Sequence, residues 1–168
     1  MIVLGIKSEV FYVNVLFVCL GNICRSPMAE AMFRQLVKEA GLSGQIKVDS
    51  AGLNYEEIGN GPHPGAAAVM HQHGLSTAGL IARHITNEDF EQADYIICMD
   101  RMNLDELHRL APESDQDKIH LANEPVPGKE NAEIPDPWYT HRFEDTYQSL
   151  AVALPYWLAI IRKQLNQN

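Results

Sequence analysis

The sequence predicts an α/β fold: three layers built on a mostly parallel sheet, with helices on both faces and a candidate binding loop between the first strand and the first helix. Two patterns carry this expectation. Short apolar, β-branched runs alternate with stretches of helical spacing, and the first run leads through a Gly-Asn turn into a helix opened by proline. Such a strand–loop–helix unit puts its loop at the carboxyl end of a parallel strand, where α/β folds bind ligands.

Residues Phe11 to Val18 (FYVNVLFV) form a near-continuous apolar and aromatic run, the pattern of a strand covered on both faces. After Gly21 and Asn22, Pro27 opens a stretch with apolar residues at Met28, Ala31, Met32, Leu36 and Val37, a helical spacing that stops at Gly41. Ile46 to Asp49 reads as a second strand, and Pro64 to His73 as a helix ended by Gly74. Thr86 with Asp89 three residues on approaches a capping box, so a short helix is expected over Thr86 to Gln92. Asp94 to Met99 (DYIICM) is a third buried strand, followed by helices at Asn103 to Leu110 and Arg142 to Gln164, with Pro155 expected to start or kink a segment of the last. Glu124 to Pro137 holds four of the nine prolines and reads as an ordered but irregular surface loop rather than a linker.

At 168 residues and 46% hydrophobic, the chain suits one domain spanning 1–168, with 1–10 a poorly ordered extension. A formal charge of -9 repels polyanions and argues against nucleic acid as a partner. No apolar run reaches the roughly 18 residues of a membrane span, and the start lacks the basic leader and small-residue cleavage site of a secreted protein. Three cysteines form neither a disulfide framework nor paired metal knuckles, which points to a reducing, cytoplasmic setting with no metal and no cofactor. His71-Gln72-His73 does not alter this, since positions i and i+2 of a helix do not share a face.

The chemistry concentrates in Cys19-Leu20-Gly21-Asn22-Ile23-Cys24-Arg25-Ser26-Pro27. Gly21 and Asn22 tolerate positive φ, so successive N–H groups can form a nest for an anion at the helix N-terminus. Arg25 adds a fork matched to phosphate. The same positive field favours the thiolate of Cys19, an in-line nucleophile beneath bound phosphate, and Ser26 is placed to donate to that sulfur. Leu20, Gly21, Asn22, Ile23, Cys24 and Ser26 then surround the phosphate. A packing role competes for Cys19 and a surface ion pair for Arg25, but neither explains the turn and the arginine together. Cys24 is either a packing residue or a resolving thiol that protects Cys19 from over-oxidation. Asp136, stiffened by Pro135 and Pro137, suits a proton donor to a phenolate leaving group, against the plainer reading of a turn residue before proline. Trp138, Tyr139 and Tyr55 are candidates for aromatic walls around a phenyl ring, with core packing as the alternative for Tyr55.

The cysteine loop, the following Met-Ala-Glu-Ala, Val48-Asp49-Ser50-Ala51-Gly52, Asp94 to Asp100 (DYIICMD) and Asp136-Pro137-Trp138-Tyr139 resemble, in order, the low-molecular-weight protein tyrosine phosphatases. The resemblance implies a four-stranded parallel sheet and hydrolysis of protein phosphotyrosine through a phosphocysteine, releasing inorganic phosphate without a metal. It also implies that Asp136 is the general acid, that Ser50 and Ser26 hold Asn22, and that Asp100 orients Arg25. A histidine expected near Gly79 in the support of Asn22 is absent, and Glu56 and Glu57 stand where the wall segment usually carries Trp or His. Related arginine phosphatases carry threonine where Ile23 stands, and thioredoxin-linked arsenate reductases need two further cysteines where only Cys98, a core candidate, remains. A non-catalytic phosphotyrosine-binding module would need neither Cys19 nor Asp136.

Overall fold

The computed structural model describes residues 12–167, so Phe11 and the 1–10 extension lie outside the described residues. Strand β1 (Val13–Cys19) is buried along nearly its whole length because it sits inside the sheet, with side chains alternating between two cores. Val13, Val15, Phe17 and Cys19 face one core, and Leu16 and Val18 the other. Four parallel strands form the sheet in the order β2-β1-β3-β4, with β2 spanning Ile46–Gly52, β3 Tyr95–Cys98 and β4 Ile119–Leu121. The chain leaves β1 for β2 on one side and later returns to β3 on the other, so the carboxyl end of β1 is the topological switch point where such sheets bind ligands.

On the first face lie α1 (Arg25–Glu39), α2 (Pro64–Gln72) and α6 (Phe143–Leu165). Met28, Phe33, Met70, Leu150, Leu154 and Trp157 fill that layer, and burying a side chain of such size contributes about 1.5–3 kcal/mol. The second face is closed by α3 (Asn87–Gln92) and α4 (Arg101–Leu110) through Phe90 and Leu107. Thr86 and Asp89 make the reciprocal capping box that starts α3.

Several bounds differ from the sequence reading. Helix α1 starts at Arg25 rather than Pro27, and β2 continues to Gly52 rather than Asp49. Helix α4 starts at Arg101, capped by Asp100, whose Oδ1 accepts from Asn103 N at 2.8 Å. The turn α5 (Pro137–Thr140) and a 3₁₀ segment at Glu113–Lys118 have no counterpart in that reading. Helix α6 runs through Pro155 without interruption: Pro155 and Ala151 are both exposed, so solvent can meet the carbonyl that proline leaves unpaired.

Candidate active site

The loop from Cys19 to Ser26 rests on the end of β2. Leu53 N and Asn54 N donate to Leu20 O at 2.8 and 3.0 Å, and a Cβ on Gly52 would lie 3.1 Å from both Asn22 Cβ and Leu20 O. Glycine at position 52 is what lets the two segments lie this close. Asn22 takes φ 58, the left-handed conformation expected of it. Among the described residues, the N–H groups of Leu20, Gly21, Asn22, Ile23 and Cys24 donate to no protein acceptor. Helix α1 begins directly after them with no side-chain cap and no acidic residue in its first turn, so its positive end also stays uncompensated. Backbone donors left free at a helix start form an anion site.

Hydrogen bonds around Asn22 fix the orientation of its amide. Arg83 N donates to Asn22 Oδ1 at 3.1 Å, so Nδ2 must supply the two bonds to Ser26 Oγ (2.8 Å) and Ser50 Oγ (3.0 Å). Ser26 Oγ also lies 3.0 Å from Cys19 Sγ, and it is the donor of that bond when the sulfur is a thiolate, which has no proton to give. Ser50 in turn donates to Glu30 Oε1 at 2.6 Å. Glu30 is 4% exposed and ion-paired with Arg34; burial nonetheless pushes its carboxyl above the ordinary range. Arg83 is itself clamped by Asp89 (2.8 and 2.9 Å) and Asp49 (3.0 Å). The backbone of Arg83 thus anchors Asn22 in a chain without the expected histidine.

Arg25, 2% exposed, donates from Nη1 to Asp100 Oδ2 (2.8 Å) and Ile134 O (3.2 Å), and from Nη2 to Asp136 Oδ2 (3.2 Å). Burial works against its charge, but Cys19, Asp136 and Asp100 outweigh burial and hold its pKa above the ordinary value. The acid-bearing segment is pinned to the sheet and to α6: Ile134 N donates to Met99 O at 2.8 Å, and Thr146 Oγ1 to Pro135 O at 2.9 Å. Asp136 Oδ1 then caps α5 by accepting from Trp138 N at 3.1 Å.

A cavity of about 250 Å³ opens above this arrangement, with Cys19 and Arg25 at its base and Asp136, Trp138, Tyr139, Glu56 and Glu57 on its walls. Cys19 is 3% exposed; it ends the row of β1 side chains on the first core and also lines the floor of the cavity. The arrangement has what displacement at phosphorus requires: a sulfur, a cradle for three oxygens, and a carboxyl group on the opposite wall.

A sequence profile of the low molecular weight phosphotyrosine protein phosphatase family matches residues 14–168. The chain belongs to this family. It is 43% identical to the low molecular weight protein-tyrosine-phosphatase YfkJ of Bacillus subtilis over 152 residues, covering 90% of this chain and 97% of the relative. The human low molecular weight phosphotyrosine protein phosphatase is 45% identical over 139 residues, covering 80% and 87%. The crystal structure of YfkJ superposes with a TM-score of 0.88 over 91% of this chain and 96% of that one. A Drosophila arginine phosphatase is 37% identical with a TM-score of 0.80, covering 88% and 96%. The protein is therefore a low-molecular-weight tyrosine phosphatase, with the four-stranded parallel fold of that family.

The structure brings together Cys19, Leu20, Gly21, Ile23, Cys24, Arg25, Asp136, Trp138 and Tyr139 around the cavity, with Asn22, Ser26, Ser50 and Asp100 behind them. Tyr55 goes elsewhere. It is 69% exposed, stacks face to face on His84 at 3.9 Å, and does not line the cavity, so it fits neither the wall nor the core reading. Its neighbours Glu56 and Glu57 form that wall instead. Cys98 is fully buried in the second core, as its strand position implied. Sequence reasoning missed Glu30 and Arg83. Glu30 had a signal, because it follows Ser26 by four positions and so shares its helix face; Arg83 reaches Asn22 only through the fold.

Proposed function

We propose that this phosphatase acts through Cys19, Arg25 and Asp136 in two steps, within a single catalytic domain of the cytoplasm and without a metal. The observation that carries the reading is the run of free N–H groups from Leu20 to Cys24 beside a sulfur that lies 3.0 Å from Ser26 Oγ. In the first step the Cys19 thiolate attacks phosphorus in line, an S–P bond forms, and the P–O bond to the tyrosine ring breaks. Asp136 gives its proton to the leaving phenolic oxygen, since an unprotonated phenolate departs poorly. A phosphate dianion displaces the Asp136 carboxylate from Arg25 Nη2, and the carboxylate, now beside a second anion, takes up from solvent the proton that it then gives to the leaving group. In the second step water attacks the phosphocysteine, its proton passes to Asp136, and the sulfur leaves as a thiolate steadied by Ser26. Inorganic phosphate departs.

Trp138 and Tyr139, both exposed, flank the aryl ring of phosphotyrosine at the mouth. Ile23 supplies no oxygen for a guanidinium, which favours phosphotyrosine over phosphoarginine at this loop. Glu56 and Glu57 favour protein substrates with basic residues beside the phosphotyrosine.

Hydrolysis of p-nitrophenyl phosphate, an unactivated aryl phosphate and free phosphoarginine by wild type, Cys19→Ser and Asp136→Asn tests this reading. Cys19→Ser should bind phosphate and turn over nothing. Asp136→Asn should slow the unactivated ester by about 10²–10⁴ and the nitrophenyl ester far less. An equal loss on both esters removes Asp136 from its role, and faster turnover of phosphoarginine than of aryl esters removes phosphotyrosine as the substrate.

A further inference from the structure

His63 joins the phosphate loop, through its backbone, to the acid-bearing turn, through its ring, and it has no part in the two chemical steps. His63 N donates to Ile23 O at 2.7 Å, tying the start of α2 to the centre of the phosphate loop. Its Nδ1 accepts from Gly65 N at 3.0 Å and so caps α2. An accepting Nδ1 places the ring proton on Nε2. The ring plane stacks on Phe143, the first residue of α6, at 4.9 Å between centroids and 23° between planes. Trp138 meets the same ring edge to face at 6.2 Å and 86°.

The stack is built in rather than incidental. A Cβ on Gly65 would fall 2.6 Å from Phe143 Cδ2 and Cζ, so the glycine two residues after His63 is what admits Phe143 beside the imidazole. Trp138 needs such a support: it is 56% exposed on α5, a single turn of four residues. We propose that His63 is a positioning residue for the substrate-recognition wall: its ring props Trp138 at a fixed angle above the phosphate loop, so the aryl slot keeps its width. This rests on the reading of Trp138 as a wall of that slot. The proposal assigns His63 no part in proton transfer and no contact with phosphate.

The test is a double-mutant cycle of His63→Asn and Trp138→Ala, reading KM for p-nitrophenyl phosphate, the inhibition constant of inorganic phosphate, and the thermal midpoint. Asparagine keeps a cap acceptor at the same distance along the side chain and removes only the ring. The expected result is a KM about 2–10-fold higher in His63→Asn, an unchanged phosphate inhibition constant, and a double variant no worse than Trp138→Ala alone. A purely structural role would lower the thermal midpoint and give effects that multiply in the double variant, and that outcome overturns the proposal. A normal KM in His63→Asn beside a raised KM in Trp138→Ala also overturns it while leaving the wall intact. If Trp138→Ala leaves KM unchanged, the wall reading itself fails, and the prop has nothing to hold.

Discussion

At the scale of single residues, the site depends on groups whose bonding leaves no alternative. Arg25 serves Asp100, Ile134 O and Asp136 from one planar head. A lysine has one nitrogen on a flexible stem and cannot satisfy three directions and a phosphate together. Arg25→Lys should therefore lose about 10²–10³ in kcat/KM while keeping Cys19 intact. Steady-state kinetics on p-nitrophenyl phosphate read this directly, and a loss under tenfold would mean that a point charge suffices. Cys24 shows the opposite case, a reactive group held inert. Burial first, then the charges of Cys19 and Asp136, push its thiol up to about 12. Burial, the largest of these causes, remains when Cys19 is replaced, so in a Cys19→Ser variant Cys24 should still resist iodoacetamide at pH 8. Rapid labelling of Cys24 would revive it as a resolving thiol; slow labelling leaves packing as its role.

At the scale of elements, the supports of the loop carry their own pH dependence. Burial would raise the Asp89 carboxyl, but the bonds from Arg83 and Thr86 outweigh it and hold it below the usual carboxylate range. Folded Asp89 binds protons less readily than unfolded Asp89. Its contribution to stability is thus present above the unfolded value near 3.8 and is lost as pH falls through the lower folded one. Asp89→Asn should flatten the fall in thermal midpoint below pH 4 and cost about 0.5–1 kcal/mol at pH 7, where the ion pair with Arg83 is lost while the amide oxygen can still accept from Thr86 N. An unchanged acid limb would show that Arg83 and Thr86 do not hold Asp89 as a carboxylate.

The same elements show what the sequence made legible. β1, α2 and α3 were readable because their signals are local: an apolar run, a proline start, a capping box. The start of α1 was not, because Arg25 and Ser26 are buried by hydrogen bonds rather than by apolar character. β4 has only three residues, too few to show a period, and Ile119 and Leu121 are buried by the second core that the fold assembles around them. The cysteine loop and Asp136 announced themselves by residue type and turn chemistry. Arg83, 61 positions from Asn22, joins the site only once β1 and β2 lie side by side, and nothing local separates its backbone N–H from any other.

At the scale of the whole molecule, the protein carries a charge of -9 and yet must draw in a dianion. Long-range steering works against the substrate, so capture depends on the short-range cradle, and what flanks the phosphotyrosine decides how close it comes. Around the cavity, Glu56, Glu57 and Asp136 place three carboxylates against the one guanidinium of Arg25, and Asn60 Nδ2 holds Glu57 in place at 2.8 Å. A lysine or arginine beside the phosphotyrosine relieves this imbalance, whereas an aspartate or glutamate worsens it. Between two phosphotyrosine peptides differing only in flanking charge, the basic one should show kcat/KM higher by about fivefold to thirtyfold at low salt, as two weakly screened pairs of about 0.5–1 kcal/mol each imply. Raising the salt from 0.01 M to 0.5 M should shrink the ratio, because the screening length falls from about 30 Å to a few ångström. Glu56→Gln with Glu57→Gln should collapse most of it at fixed salt while p-nitrophenyl phosphate turnover stays near wild type. Equal turnover of both peptides at low salt would show that the mouth is blind to charge, and the substrates would then have to be chosen by the aryl slot alone.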